Sequence, residues 1–144
     1  MAKVTISPDW MVGFVDRSAS FFAHVERKES TRLGKRLRPE FRIVASKKDH
    51  ALMLQVKAFF GCGHIRQNKS DQYEYRVREL PDLKRVIDFF IARPLKSSKQ
   101  NEVIAMKHVL DVMLQKRELS EQEFDALVAL AKPIMRTAKL GVRD

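Results

Sequence analysis

The sequence predicts an α+β fold in which four strands form one antiparallel sheet and helices pack around it. Apolar and polar residues alternate over residues 20–28 and 38–46, as they do in strands with one buried face. A polar turn at residues 69–71 separates two shorter alternating arms and indicates a hairpin. The other stretches repeat apolar residues every three or four positions, which is typical of amphipathic helices. The expected order, in one domain spanning residues 1–144, is α, β, β, α, β, β, α, α, α.

The first helix and the first two strands are predicted by end signals and apolar spacing. Ser7 can cap a helix whose first turn contains Pro8. The apolar side of this helix is formed by Trp10, Met11, Phe14 and Val15. The first strand places Phe21, Ala23 and Val25 on one side and Phe22, His24, Glu26 and Lys28 on the other. After a basic turn at residues 32–39, the second strand places Phe41, Ile43 and Ala45 opposite Arg38, Glu40, Arg42 and Ser46.

Glycine, proline and capping residues set the limits of the later elements. Gly61 ends a predicted helix of about three turns, because glycine favours the conformation that terminates helices. Pro81 opens the next helix, since its missing N–H is tolerated in a first turn. Two further amphipathic helices are predicted at residues 101–116 and 120–132, the second capped by Ser120.

Charge and composition indicate a polyanionic partner. Lys and Arg number 28 against 18 Asp and Glu, which leaves a formal net charge of +10. This excess favours nucleic acid as the partner, although a basic surface that only confers solubility is the alternative. No apolar run approaches the roughly 20 residues needed to cross a bilayer, so no membrane partner is expected. The lone Cys62 favours an intracellular, reducing compartment, without distinguishing the cytoplasm from an organelle such as a mitochondrion or chloroplast.

Four stretches of sequence, in order, carry a resemblance to a known family. Residues 10–22, WMVGFVDRSASFF, resemble the signature helix of the LAGLIDADG homing endonucleases with its "GFxDGEGSF" core. The stretches PEFRIVASKKDHALML, FFGCGHI and YEYRVRELPDL resemble the next three characteristic segments of that family. The resemblance implies an αββαββα half-domain whose four-stranded antiparallel sheet binds DNA, followed by C-terminal helices. The alternative is an unrelated basic α/β domain with a core helix.

In that family two signature helices pack side by side, and this chain contains one such helix. The resemblance therefore implies a homodimer on a pseudo-palindromic DNA site, since a twofold dimer presents the same surface twice. Gly13 lacks a Cβ and would let two helix backbones approach closely; its alternative role is to relieve a crowded contact within the chain. The residues expected at the dimer interface are Val12, Gly13, Val15 and Asp16.

The resemblance places Ser18 where the family has its metal-binding acid, so we expect a degenerate catalytic site. Arg17 and Ala19 replace the two glycines that flank the acid. A neutral hydroxyl is a poor ligand for a hard divalent ion, because it brings no charge. Asp16 is retained, but the resemblance implies a structural role for it at the helix end.

Three further positions belong to this vestigial site. Lys47 stands where many relatives place a glutamine that orients water. It could hold a phosphate without cutting it, or it could be a solvated lysine at a strand end. The basic residue that relatives place near the scissile phosphate aligns with Ser98 or Lys99. We therefore predict no metal ligands and no tightly bound cofactor, and Mg²⁺ would be needed only if nuclease activity is retained.

The polar sides of the predicted strands carry mixed hydrogen-bond donors and acceptors, which suits the recognition of bases in a DNA groove. His24 and Glu26 could also suggest a metal site, but alternate strand residues lie about 7 Å apart and do not converge. The basic turns and chain ends are expected to contact phosphates. The residues predicted to contact DNA are Ser20, Phe22, His24, Glu26, Lys28, Arg32, Lys35, Arg36, Arg38, Glu40, Arg42, Ser46, His64, Arg66, Asn68, Lys69, Glu74, Arg76, Lys96 and Lys139.

Three functions are compatible with these features. The first is sequence-specific binding of double-stranded DNA with cleavage lost or strongly impaired, and Ser18 favours it. The second is an active Mg²⁺-dependent homing endonuclease, which would need another group to hold the metal. The third is a splicing cofactor, or maturase, for an intron RNA, a role that some relatives of this family have taken on.

Overall fold

The computed structural model of the chain describes residues 3–115 and 117–136 and contains the helices and strands in the predicted order. Among these residues, no helix is long and apolar enough to cross a membrane. Short 3₁₀ turns occupy Lys47–Asp49 and Lys132–Ile134. The longer elements are α1 (Pro8–Ser18), β1 (Ala19–Arg27), β2 (Lys35–Ser46), α2 (His50–Phe60), β3 (His64–Gln67), β4 (Gln72–Val77), α3 (Leu80–Ala92), α4 (Gln100–Met113) and α5 (Glu121–Leu130).

The four strands form one antiparallel sheet in the order β1-β2-β4-β3, which confirms the predicted α+β fold. Ala19 pairs with Ile43, so the end of α1 and the end of β2 lie at the same end of the sheet. Alternation of side chains gives the sheet one apolar face, as the strand pattern predicts. Its buried members include Phe21, Ala23, Leu37, Phe41, Ile43, Tyr75 and Val77.

The helices cover the apolar face of the sheet and build the hydrophobic core with it. Helices α1, α2 and α4 contact the strands, and α3 packs against α4. The ring centroid of Phe41 lies 4.9 Å from that of Phe21 and 5.8 Å from that of Phe60. Burying an aromatic side chain of this size contributes roughly 1.5–3 kcal/mol. Because the core lies on this side, the opposite face of the sheet carries the polar residues.

The predicted end signals are used as expected. The Ser7 hydroxyl accepts a hydrogen bond from the backbone N–H of Trp10 at 3.1 Å and caps α1. Ser120 and Glu123 form a reciprocal capping box at the start of α5. Gly61 ends α2 with a φ of +72°, a left-handed conformation that favours glycine.

Several boundaries differ from the predicted ones by one to three residues; α4, for example, ends at Met113 instead of residue 116. Strand β2 begins at Lys35, three residues early, because the N–H of Lys28 donates to the Gly34 carbonyl at 2.9 Å and lengthens the hairpin. The last helix ends at Leu130 instead of residue 132, since Pro133 has no N–H to continue the helical hydrogen bonds.

Candidate nucleic-acid interface

The face of the sheet opposite the helices carries most of the residues predicted to contact DNA. The strand register aligns Phe22 with Glu40 and Arg42 with Arg76, so their side chains meet across neighbouring strands. Arg36, expected in a basic turn, also belongs to this face because β2 starts early. The polar face consists of Ser20, Phe22, His24, Glu26, Arg36, Arg38, Glu40, Arg42, Val44, Ser46, His64, Arg66, Gln72, Glu74, Arg76 and Arg78.

Glu40 lies at the centre of the polar face and is fully buried, although the sequence predicts a DNA contact for it. One carboxylate oxygen lies 2.6 Å from Arg42 Nε and 3.2 Å from Arg76 Nε. The other lies 3.2 Å from Arg78 Nε. The prediction of a direct contact is therefore corrected: three guanidinium groups cover this carboxylate, and they are the groups that DNA could reach.

Glu26 holds a second group of basic side chains near the other end of β1. Its carboxylate lies 2.5 Å from Arg36 Nε, 4.0 Å from Arg38 Nη1 and 3.7 Å from His24 Nε2. Partial burial opposes ionisation, but the hydrogen bond and charge of Arg36 outweigh it and hold the pKa of Glu26 below its ordinary value. Glu26 is therefore an ionised partner of the arginines that surround it.

Glu74 forms a third such group on β4. It is buried, and its carboxylate lies 3.2 Å from Arg66 Nε and accepts a hydrogen bond from Asn68 Nδ2 at 3.1 Å. Burial raises the pKa of Glu74, but the hydrogen bond from Asn68 and the charges of Arg42 and Arg66 together lower the pKa by more than burial raises it. The net shift of the pKa is therefore downward. The acids of the polar face thus serve first as partners of basic side chains.

Phe22 is predicted to contact DNA, but arginine side chains cover its ring and the residue is only 5% exposed. The guanidinium carbon of Arg42 lies 5.0 Å from the ring centroid, and that of Arg136 lies 3.7 Å away. Arg136 is held there because its backbone N–H donates to the Ala23 carbonyl at 2.7 Å. Sequence reasoning missed Arg136, since only the return of the chain to β1 reveals it. It also missed Arg78, although this residue continues the alternation of Glu74 and Arg76.

The end of α1 is held by hydrogen bonds to the segment before α4. The Asp16 carboxylate accepts hydrogen bonds from the Ser97 hydroxyl and from the N–H groups of Lys96 and Ser97, the first of these two at 2.8 Å. The Ser97 hydrogen bond is the main reason that the pKa of Asp16 lies below its ordinary value, against the opposing effect of partial burial. Lys99 Nζ donates to the carbonyls of Val15 and Ala19. These contacts give Asp16 and Lys99 structural roles here.

The residues at this helix end do not fit a magnesium ion. Ser18 is exposed and brings no charge, and Asp16 is already bonded to the segment before α4. Glu102 lines an adjacent cavity of about 240 Å³ together with Lys99, but burial raises the pKa of this carboxyl and favours its neutral form. Within residues 3–115 and 117–136, no group of three His, Cys, Asp or Glu side chains is placed to hold a metal.

Lys47 and Ser98 complete the vestigial positions. Lys47 follows β2, at the same end of the sheet as Ser18, and its ammonium group pairs with exposed Asp71 at 3.4 Å. Ser98 is exposed in the segment before α4, one residue from Lys99. Neither residue makes a contact that builds a catalytic centre within the described part of the chain.

The outer side of α1 carries three of the four residues predicted at a dimer interface. Gly13 is exposed, and within the described part of the chain a Cβ added to it would meet no atom within 4 Å. Relief of crowding within the chain therefore does not explain this glycine. Val12 and Asp16 are partly exposed beside it. Val15, in contrast, is fully buried in the chain's own core, so its assignment to the interface is wrong.

Several residues predicted to contact phosphates lie at the edges of the polar face or away from it. Lys35 contacts Glu121 of α5 at 2.8 Å, and Arg32 contacts Glu118 at 3.5 Å. These two cations are therefore directed to the helical side of the sheet. Lys139 lies outside the described residues. The other residues predicted to contact DNA include six that are exposed or partly exposed: Ser20, Lys28, Ser46, His64, Lys69 and Lys96.

Comparison with known proteins places this geometry in a family. The LAGLIDADG endonuclease family matches residues 11–110 of the chain. The crystal structure of the homing endonuclease I-TnaI superposes with a TM-score of 0.85 at 35% identity, covering 93% of this chain and 90% of that one. I-CpaMI, a LAGLIDADG meganuclease crystallised with uncleaved DNA, superposes with a TM-score of 0.81 at 28% identity, covering 88% of this chain and 43% of that one.

A relative known from its sequence is much longer than this chain. An uncharacterised 50.9 kDa protein in ND4 intron 1 of Podospora anserina is 29% identical over 119 residues, which cover 81% of this chain and 26% of that protein. The chain spans a quarter to a third of the length of the curated relatives it matches. With the helix, the sheet order and the family match in agreement, the chain belongs to the LAGLIDADG homing endonuclease family.

Proposed function

We propose that this protein binds double-stranded DNA sequence-specifically as a homodimer and that its cleavage activity is lost or strongly impaired. The observation that carries the proposal is the polar face, on which carboxylates hold arginine side chains in place. Arginine recognises guanine through two parallel hydrogen bonds, and such recognition requires a fixed guanidinium group. The proposal also implies a location inside the cell, where DNA is found.

Duplex DNA is a better partner for this face than RNA. I-CpaMI, which shares the fold at 28% identity, was crystallised with uncleaved DNA. The major groove of B-DNA is wide enough to admit β-strands, whereas that of an RNA helix is deep and narrow and excludes side chains. The net charge of +10 adds attraction to phosphates without regard to sequence.

The homodimer is supported by the outer side of α1. Among the described residues, a Cβ added to Gly13 would meet no atom within 4 Å, so no contact there requires a glycine. A glycine in a helix interior costs about 1 kcal/mol relative to alanine, so its presence needs another reason. Close approach of a second α1 helix across a twofold axis provides that reason.

The impaired cleavage is supported by the chemistry of the α1 end. Hydrolysis of a phosphodiester by this family's metal-dependent route needs carboxylates that hold divalent ions. Ser18 offers a hydroxyl instead, and Asp16 is bonded to the backbone of residues 96 and 97. What this chain's own residues can supply there is a phosphate contact from basic side chains.

Sedimentation and DNA selection test this function together. The protein should sediment as a dimer at micromolar concentration and should enrich a pseudo-palindromic sequence from a randomised duplex pool. Its affinity for the enriched duplex should fall by about 10³-fold or more between roughly 50 and 200 mM salt, because a dimer contacts several phosphates.

A plasmid that carries the enriched sequence tests cleavage. We expect retention of the plasmid without linearisation in Mg²⁺ or Mn²⁺. Robust Mg²⁺-dependent double-strand cleavage would overturn the impaired activity. A monomer that retains no duplex DNA at low salt would overturn the binding proposal, and preferential retention of structured intron RNA would favour the splicing role.

A further inference from the structure

Arg42 and Arg76 lie directly opposite each other in strands β2 and β4, an arrangement that is unfavourable on its own. Like charges in opposed positions of a sheet repel each other and destabilise it. The same oxygen of Glu40 lies 2.6 Å from Arg42 Nε and 3.2 Å from Arg76 Nε, which offsets this repulsion. Glu40 therefore allows two arginines to stand side by side at the centre of the polar face.

The cluster keeps a surplus of positive charge. Arg78 brings a third guanidinium group within 3.2 Å of Glu40, so three positive charges surround one negative charge. Burial and the neighbouring charges of Arg38 and Arg76 lower the pKa of Arg78, which reflects how crowded these cations are. A polyanion bound to this face would neutralise the surplus positive charge, and DNA is such a polyanion.

The contacts leave the terminal nitrogens of Arg42 for another ligand, whereas Arg76 also donates from Nη2 to the second oxygen of Glu40 at 3.4 Å. Arg42 binds Glu40 through Nε, the inner nitrogen, and its guanidinium carbon lies 5.0 Å from the ring centroid of Phe22. Its side chain is 26% exposed, whereas that of Glu40 is 1% exposed. The two terminal nitrogens of a guanidinium group held at Nε can still form the paired hydrogen bonds that read guanine.

We propose that Glu40 is a positioning residue that determines base preference without touching DNA. It fixes the guanidinium group of Arg42 in an orientation that suits a base and keeps it from turning to the nearest phosphate. An arginine released from this carboxylate can swing to the backbone, where contacts carry no sequence information. The inference rests on the proposed function, because it assigns a role within the same DNA-binding face.

The substitution Glu40→Gln tests this role in the full chain. The randomised duplex pool defines a preferred duplex for the unmodified protein, and a scrambled duplex of equal length serves as the reference. The affinity ratio between the two should fall about tenfold or more, in the range expected for one lost arginine–guanine pair. Affinity for the scrambled duplex should stay the same or rise, since each chain gains one unit of positive charge.

Asp88→Asn is the matched control. Asp88 is exposed on α3 and pairs with Lys84, so its substitution changes the net charge equally but leaves the polar face intact. This variant should keep the affinity ratio. Arg42→Lys keeps the charge of Arg42 but removes the paired donors, and it should relax the same base position as Glu40→Gln.

Each outcome decides the inference. A folded Glu40→Gln variant that keeps the ratio within about twofold would overturn it, as would relaxation at base positions that Arg42→Lys does not affect. If Glu40→Gln fails to fold, as judged by circular dichroism, Glu40→Asp takes its place. This variant keeps the negative charge but moves it back by one methylene group, so we expect a partial fall in the affinity ratio. An unchanged affinity ratio in Glu40→Asp would overturn the inference. A lack of base preference in the unmodified protein would instead refute the proposed function itself.

Discussion

Glu26, Glu40 and Glu74 each place a carboxylate between basic side chains of the polar face. The partly exposed pairs of Glu26 contribute about 1 kcal/mol or less. Glu40 and Glu74 are buried, and the cost of desolvating their charges offsets much of the attraction to the arginines. Such groups therefore orient side chains more than they stabilise the fold. Orientation matters because a free arginine loses roughly 2 kcal/mol of rotamer entropy when a ligand immobilises it. An arginine already held by a carboxylate has lost part of that freedom before DNA arrives.

Arg66 should contribute to base preference, and Lys69 should contribute only to general affinity. Arg66 pairs with Glu74 on the polar face, whereas Lys69 is exposed in the hairpin turn. We expect Arg66→Ala to cost about 1–3 kcal/mol on the preferred duplex and to relax one base pair in each half-site. Lys69→Ala should weaken preferred and scrambled duplexes equally. Equal losses on both duplexes for Arg66→Ala, measured by titration, would remove Arg66 from the base-reading set.

Asp16 should contribute stability that depends on pH. Its pKa is lowered in the folded state, chiefly by the Ser97 hydroxyl, so it stabilises the fold above the unfolded pKa of about 3.9. This contribution is lost as the pH falls through the lower pKa of the folded state. Asp16→Asn should therefore lower the free energy of unfolding by about 1 kcal/mol near neutral pH. Urea unfolding should show a smaller difference near about pH 3, and an equal difference at both pH values would contradict this role.

At the scale of elements, local patterns predict the strands and caps, and contacts between distant segments decide the rest. The alternation in β1 and β2 was enough to separate the two faces, because strand periodicity is a local property. The burial of Glu40 could not be predicted in this way, since Arg76 and Arg78 come from another strand. Arg136 reaches Phe22 only because the chain returns to β1 after α5.

Helix α1 divides its residues between the core and an outer side. Met11 and Val15 are fully buried, four residues apart on the inner side, while Gly13 is exposed. The sequence motif alone did not show that Val15 faces inward, because its position follows from how α1 lies on the sheet. The other residues of α1 are exposed or partly exposed, and Gly13 lies among them.

Gly13→Ala should have opposite effects on a single chain and on a pair of chains. In one chain the added methyl group meets no atom within 4 Å, and alanine stabilises a helix by about 1 kcal/mol relative to glycine. Between two packed α1 helices, the same methyl group would push the backbones apart. We expect the free energy of unfolding of the monomer to rise and self-association to weaken, as measured by urea unfolding at low concentration and by sedimentation.

Ala126→Gly is the control for this prediction. Ala126 is exposed in the middle of α5, so its replacement should lower stability by a similar amount without changing self-association. Unchanged association in Gly13→Ala would argue against α1 as the dimer contact. A stability loss in the Gly13→Ala monomer would show that the glycine is needed within the chain.

At the scale of the whole molecule, the proposed DNA-binding face and the proposed vestigial catalytic positions lie in different parts of the fold. The polar face is built from all four strands, and the arginines at its centre share the carboxylate of Glu40, so their positions depend on one another. The positions predicted to be vestigial lie apart from the centre of this face: Arg17 and Ser18 are exposed at the end of α1, and Ala19 follows as the first residue of β1. Substitutions at Arg17 and Ser18 therefore fall outside the strands of the sheet.

Restoring the acid should therefore restore metal-dependent cutting without altering DNA preference. The variant Ser18→Asp, combined with Arg17→Gly and Ala19→Gly, supplies a carboxylate, removes a positive charge and returns flexibility to the helix end. The α1 end is otherwise held in place by Asp16 and Lys99, so the new carboxylate should occupy a defined position. Linearisation of a plasmid carrying the preferred sequence, with and without Mg²⁺, measures the gain.

Lys47→Gln belongs in the same series, because Lys47 directly follows β2 at the same end of the sheet as Ser18 and its positive charge would oppose the binding of a divalent ion there. We expect cleavage to rise from the unmodified chain to the Ser18→Asp variant, and again when Lys47→Gln is added. The matched control is Ser18→Asn, which has the size of aspartate without its charge and should stay inactive. Equal cleavage by the Ser18→Asn and Ser18→Asp variants would show that the charge at this position does not limit the reaction. A Mg²⁺-dependent difference between the two variants would assign the loss of activity to the missing carboxylate.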